Sequence, residues 1–251
     1  MSNIKKFSPN PDFSANAHIS SLEKYQELYK ESIQNPAGFW GKVAERLHWT
    51  RKWETVVEYD FVKADIKWFE GGKLNVSYNC LDRHVEAGHG NKTALIWEGN
   101  DPKESKTFTY SELLTDVQKF ANAMKDNGIK KGDRICIYLQ MIPELPVAML
   151  ACARIGAVHS IVFGAFSSGS LKDRINDSSC KMLITQDTGV RGTKTNIPMK
   201  TNADIAAAEC PSIEKIVVVR RTSEKVKMKE GRDIYWDQAM AEARDQGAPE
   251  E

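Results

Sequence analysis

The sequence predicts an α/β protein, a mostly parallel sheet with alternating helices preceded by an aromatic-rich helical segment. Three observations carry this. From Lys92 onward, short apolar β-branched runs alternate with stretches of helical periodicity. The stretches between those runs are long enough to form the crossover helices that parallel neighbours require. Four of the six tryptophans, Trp40, Trp49, Trp53 and Trp68, fall before the alternation begins. Two parts follow: residues 1–90, a helical and irregular segment expected to pack its aromatics on the body, and residues 91–251, the βα repeats.

Met1 to Ser20 has little periodicity and two prolines, which predicts a poorly ordered leader. Ser21 can cap a helix through Gln34, with Leu22, Tyr25, Leu28 and Tyr29 on one face. Asn35-Pro36-Ala37-Gly38 reads as a break, with a second short helix over Phe39–Leu47. Ala94–Glu98 and Arg134–Leu139 read as strands flanking a helix over Ser111–Asn127. Leu113, Val117, Phe120 and Met124 form that helix's inward stripe, and Gly128 stops it. A buried helix over Glu144–Ile155, a strand over His159–Gly164, a helix over Ser167–Ser179 and a strand over Lys181–Gln186 come next. Beyond them lie a helix near Asn202–Glu209, the strand Ile213–Arg220 and a helix near Ile234–Ala243. Thr222–Asp233, rich in Lys and Glu without apolar alternation, reads as an exposed loop, and Ala248–Glu251 as the start of a connector.

With 35 basic and 34 acidic side chains in 251 residues, no global field attracts nucleic acid or an anionic membrane. Five cysteines, odd in number and widely spaced, fit buried inert thiols in a reducing compartment. Met1–Phe13 lacks the apolar run of a secretory signal, so a cytoplasmic protein is expected. The longest apolar stretch, Leu145–Val158, contains Arg154 and is shorter than the roughly 20 residues that span a bilayer. Arg154 is expected in a structural ion pair or at a carbonyl.

Self-sufficient catalytic signatures are absent: no complete Walker-type loop, dinucleotide fingerprint, His-Glu-x-x-His or Cys-x-x-Cys. His84, His89 and Asp82 lack a metal-ligand spacing, so no metal site and no catalytic residue is assigned. One segment does build a ligand site. Phe163-Gly164-Ala165-Phe166-Ser167 leaves a strand end and enters a helix N-terminus, where small residues admit a ligand to the backbone and free N–H groups favour anions. A tight strand-to-helix connection capped by Ser167 is the structural alternative. Arg191 and Lys194, after the next strand, add two cations that suit a phosphorylated ligand, although such cations are also common as solvated surface groups.

These residues also carry a resemblance. Met149–Lys194, together with Trp68–His84, Ala94–Gly99, Met141–Glu144 and Glu230–Asp233, resembles the AMP-forming acetyl-coenzyme A synthetases of the adenylate-forming superfamily, over about Tyr25 to Gln238. The resemblance implies an incomplete large domain of the adenylate-forming fold. It implies that the chain is an N-terminal part, truncated at Glu251 before a Ser/Thr/Gly-rich loop ending in Lys that holds ATP phosphates, and before a smaller domain with a catalytic Lys. The parent would use acetate, ATP, Mg2+ and coenzyme A, with the remainder of the same polypeptide as partner; this chain alone would be inactive. Phe163, Gly164 and Ala165 match the loop lining the coenzyme A channel, with Ala165 where relatives often carry Gly. Arg191 and Lys194 match positions that contact coenzyme A phosphates, including the ribose 3′-phosphate, Lys194 replacing an Arg found in some relatives, so that a point charge stands in for a fork. A propionyl- or other short-chain acyl-coenzyme A synthetase, or a non-catalytic coenzyme A or nucleotide-binding module, are the alternatives.

Overall fold

The computed structural model describes Lys5 and residues 7–250. Two compact units divide the chain, Met1–Lys73 and Leu74–Glu251.

The first unit holds helices α1 (Pro11–Asn16), α2 (Leu22–Gln34) and α3 (Pro36–Ala44) and strands β1 (Thr55–Asp60) and β2 (Asp65–Glu70). Ser21 caps α2 as expected, its side chain accepting from Lys24 N–H. Pro36, expected in a break, instead opens α3: its fixed φ suits the first helical position, and the Asn35 side chain caps the helix by accepting from Gly38 N–H. Within the expected leader, Asn10 caps the short helix α1; residues 1–4 and 6 lie outside the described residues. The antiparallel β1–β2 hairpin is a further departure from the helical and irregular reading. Trp49, Trp53 and Phe69 form a tight aromatic group with ring centroids 4.9 to 5.3 Å apart, and Trp40 meets Trp68 edge-on at 6.2 Å.

The second unit begins with two π-helical turns, Tyr78–Asp82 and Val85–His89. Strands β3 (Thr93–Glu98) and β4 (Ser105–Thr109) follow, then α4 (Tyr110–Asp126), β5 (Arg134–Leu139), α5 (Glu144–Arg154), β6 (Val158–Phe163), α6 (Ser168–Ser178) and β7 (Met182–Gln186). Strands β8 (Gly189–Arg191) and β9 (Lys194–Ile197), α7 (Met199–Ala207), β10 (Lys215–Val219), β11 (Asp233–Tyr235) and α8 (Trp236–Glu242) complete it. Five strands form one parallel sheet in the order β11-β10-β7-β5-β6. The α/β class and the alternation are as expected. Strand β3, however, lies outside this sheet, pairing antiparallel with β4. Ile234, expected in the last helix, belongs to β11, which adds to the sheet edge beside β10.

Both faces are covered over β5, β7 and β10, which explains the near-continuous apolar runs of those strands, while the edge strand β6 leaves Val158, Ile161 and Phe163 exposed. Ile135, Ile137 and Leu139 of β5 pack with α4, α5 and α8 on one face, and Cys136 and Tyr138 with α6 and α7 on the other. The α4 stripe is fully internal, with Phe120 stacked on Trp236. Thr109 and Glu112 close a capping box at the start of α4, and Gly128, at φ 88°, follows its end. Beyond α8 the chain does not leave the unit: Asn122 donates to the carbonyls of Arg244 and Gln246 at 2.8 Å, and Asn75 to that of Glu250 at 2.9 Å. Residues up to Glu250, expected as a connector, are thereby strapped to the body. Among the described residues no helix is long and apolar enough to cross a membrane.

Candidate ligand-binding site

Strand β5 has β6 on one side and β7 on the other. The chain leaves β5 for α5 on one face of the sheet and leaves β7 toward α7 on the opposite face. Connections that diverge in this way open a crevice beyond the carboxyl ends of the strands. A cleft of about 500 Å³ lies there, lined by Phe163, Gly164, Ala165, Arg191 and Lys194, all five residues singled out in the sequence.

Phe163 ends β6, is 58% exposed, and meets Phe166 edge-on at 6.2 Å. The loop after it is held from below. Tyr138 Oη donates to the Phe166 carbonyl at 2.8 Å, and Phe166 N–H closes a turn onto the Phe163 carbonyl at 2.9 Å. Gly164 is buried, and a Cβ there would come within 3.1 Å of Gln140 Cγ, 3.2 Å of Met199 Cε and 3.3 Å of the Leu139 carbonyl, so a larger residue would crowd its neighbours. The helix N-terminus contributes less than expected. Ser167 Oγ is used by Ser170 N–H as a cap, and neither Ser167 nor Ser168 lines the cleft.

Arg191 and Lys194, expected in a basic turn, stand directly opposite one another on the β8–β9 hairpin. Both are exposed, and among the described residues neither side chain makes a hydrogen bond or ion pair. Like charges facing across a strand pair repel, and an anion bound between them relieves that repulsion. A third cation reaches the cleft from the end of β10: Arg221 lies over the Trp97 ring at 5.3 Å and donates to Glu104 at 2.5 Å. Glu98 is the one acidic residue in the lining, so cations outnumber it.

Among the lining residues that the sequence reading did not assign to the site are Trp97, Asn100, Gln140 and Arg221. Gln140 directly follows a parallel strand at its carboxyl end, a position that the fold class itself marks. Trp97 and Asn100 come from the separate antiparallel hairpin region, and no spacing ties them to Arg191. Asp82, drawn beside His84 and His89 as a possible cluster, is taken up by Arg154, and among the described residues no group of three or more His, Cys, Asp or Glu could hold a metal ion.

A crevice at the carboxyl ends of parallel strands, lined by a small-residue loop and by cations, is where open α/β sheets place their ligands, and it defines the class as an α/β protein with a strand-end cleft. The sequence agrees: residues 81–250 match the family model described as AMP-binding enzyme, and the chain belongs to that family. Residues 25–80 match the model described as acetyl-coenzyme A synthetase N-terminus. Among individual relatives, the acetyl-coenzyme A synthetase of Magnetococcus marinus is 52% identical over 252 residues, and that of Rubrobacter xylanophilus 51% over 248. The acetyl-coenzyme A synthetase 2 of Pseudomonas putida is 49% identical over 250. These alignments take in 99 to 100% of this chain but 37 to 39% of each relative.

Proposed function

We propose that the chain is part of an AMP-forming acetate–coenzyme A ligase and carries a portion of its coenzyme A site. Such an enzyme joins acetate to AMP, releasing pyrophosphate from ATP, and the coenzyme A thiol then attacks the acetyl carbonyl and displaces AMP. ATP with Mg2+ supplies the activated phosphoryl centre for the first half of that reaction. The residues of this chain bind and orient the second substrate. Arg191 and Lys194 take coenzyme A phosphate groups, while Phe163, Gly164 and Ala165 form the wall along which the cofactor lies. A cytoplasmic setting fits the five cysteines, all free.

The observation that carries this reading is the pair of opposed, unpartnered cations that line the same cleft as the Phe163–Ala165 loop. Charge-assisted contacts from a guanidinium are the stronger kind, so Arg191 is the main anchor and Lys194 the weaker one. Saturation-transfer NMR on this chain with coenzyme A tests it. Transfer to the adenine and ribose protons is expected, weakened by competing inorganic phosphate; absence of transfer at millimolar ligand would contradict the reading.

A further inference from the structure

Arg191 has no side-chain partner, yet its backbone is held on both sides. The residue before it, Val190, donates its N–H to Gln140 Oε1 at 2.9 Å and accepts from Gln140 Nε2 at 3.3 Å. The residue after it, Gly192, donates its N–H to Asn100 Oδ1 at 2.8 Å and accepts from Asn100 Nδ2 at 2.9 Å. One side-chain amide thus satisfies both backbone groups of each neighbour, much as an adjacent strand would. The two amides arrive from different places, Asn100 from the segment after β3 and Gln140 from the end of β5.

We propose that Asn100 and Gln140 are positioning residues that clamp the β8–β9 hairpin and so hold Arg191 at the cleft for a phosphate of its ligand; this rests on the coenzyme A reading above. The hairpin needs such a fastening. It is a short two-stranded ribbon with an irregular register between Gly189 and Arg191, and isolated ribbons of this size are marginal in water. The facing charges of Arg191 and Lys194 weaken it further.

Gln140 is itself fixed. Its N–H donates to Gln186 Oε1 at 2.9 Å, and its Oε1 accepts from Gln186 Nε2 at 3.3 Å, with Gln186 fully buried. A Cβ on Gly189 would come within 2.8 Å of the Gln140 amide, and one on Gly164 within 3.1 Å of its Cγ. The Gln140 side chain therefore fills the space between the cationic hairpin and the Gly164 loop and sets their separation. A hairpin held in place before the ligand arrives has less loop freedom to lose on binding, a difference of about two- to ten-fold in affinity if it matches the cost of ordering one long side chain.

Asn100 is exposed, so Asn100→Ala is the variant least able to disturb folding. Hydrogen exchange on the whole chain should show protection lost across Gly189–Ile197 while β5 and β7 keep theirs; unchanged protection of the hairpin would overturn the clamp. Titration with coenzyme A and with its analogue lacking the 3′-phosphate gives the functional readout. Asn100→Ala should weaken coenzyme A about two- to ten-fold, leave the analogue unchanged, and add nothing in an Arg191→Ala background. An equal loss for both ligands, or a loss that persists without Arg191, would overturn the proposal. Unchanged affinity in Asn100→Ala beside a clear loss in Arg191→Ala would overturn the clamp and leave the coenzyme A reading standing, whereas unchanged affinity in Arg191→Ala itself would overturn that reading.

Discussion

Arg154 donates through Nη1 and Nη2 to the two carboxylate oxygens of Asp82, at 2.8 and 2.9 Å, and Nη2 and Nε also donate to the Gly247 carbonyl, at 2.6 and 3.0 Å. The arginine is 2% exposed at the end of an otherwise apolar helix, so its fork is almost wholly withdrawn from water. Three distant stretches meet there: the first π-helical turn, α5 and the strap beyond α8. The interaction is worth little as a net gain over an apolar pair, but removing one partner leaves a buried charge uncompensated.

Asp82→Ala is therefore expected to destabilise the second unit by about 3–5 kcal/mol. Urea unfolding followed by tryptophan fluorescence measures it. A loss below about 1 kcal/mol, the range of an exposed pair, would show that water reaches the site.

A second cluster predicts an acid response. Lys200, 1% exposed, pairs with Asp204 at 2.7 Å and with the fully buried Asp233 carboxylate at 2.9 Å. Burial pushes the Asp233 carboxyl up, but hydrogen bonds from Arg232, Lys229 N–H and Lys200 outweigh it and hold the group below its ordinary value. A carboxyl whose pKa is lower folded than unfolded contributes stability that is present above the unfolded value, about 3.9, and lost as pH falls through the folded one. Asp233→Asn should lower stability at pH 7 and flatten its decline below about pH 4. Urea midpoints taken from pH 7 to pH 3 decide it; curves that run parallel for the two proteins would refute the assignment.

The cysteines divide sharply. Cys136, Cys152, Cys180 and Cys210 are buried, whereas Cys80 is exposed, contrary to the expectation of uniformly buried thiols. Cys80 lies in the first π-helical turn on its exposed side, while Asn79, Leu81 and Asp82 stay inside. Partial burial still raises its thiol above the ordinary value, with Arg83 pulling the other way. A thiol reagent at pH 8 should label one cysteine in the native protein and all five in denaturant, and peptide mapping should place the native label on Cys80. Rapid native labelling of Cys152, packed between α4 and the sheet, would contradict the core described here.

The parallel sheet was legible because its inner strands are buried on both faces and so read as unbroken apolar runs, as in Arg134–Leu139 and Lys215–Val219. The antiparallel hairpins were not. The β1–β2 turn has no Asn-Gly signature; Ala64 takes the left-handed conformation at φ 53°, while Asp60 accepts from Val62 and Lys63 N–H. Strand β11 was hidden because Ile234 and Tyr235 fit the helical period of α8 as well as they fit an edge strand. At the cleft, the Phe163–Ala165 loop and the two cations were visible as residue types after strands. The amides of Asn100 and Gln140 were not, since each acts on backbone distant in sequence, and such partners have no periodic trace.

The coenzyme A reading stands or falls most directly on Arg191, which lines the cleft together with Phe163, Gly164 and Ala165. Isothermal titration of coenzyme A and of its analogue lacking the 3′-phosphate into the wild-type chain and into Arg191→Ala gives four affinities. A charge-assisted contact is worth about 1.5–3 kcal/mol, so the substitution should weaken coenzyme A about ten- to a hundred-fold. The analogue should bind wild type and Arg191→Ala alike. Coenzyme A binding that is unchanged in Arg191→Ala would contradict the assignment and return Arg191 to a solvated surface cation.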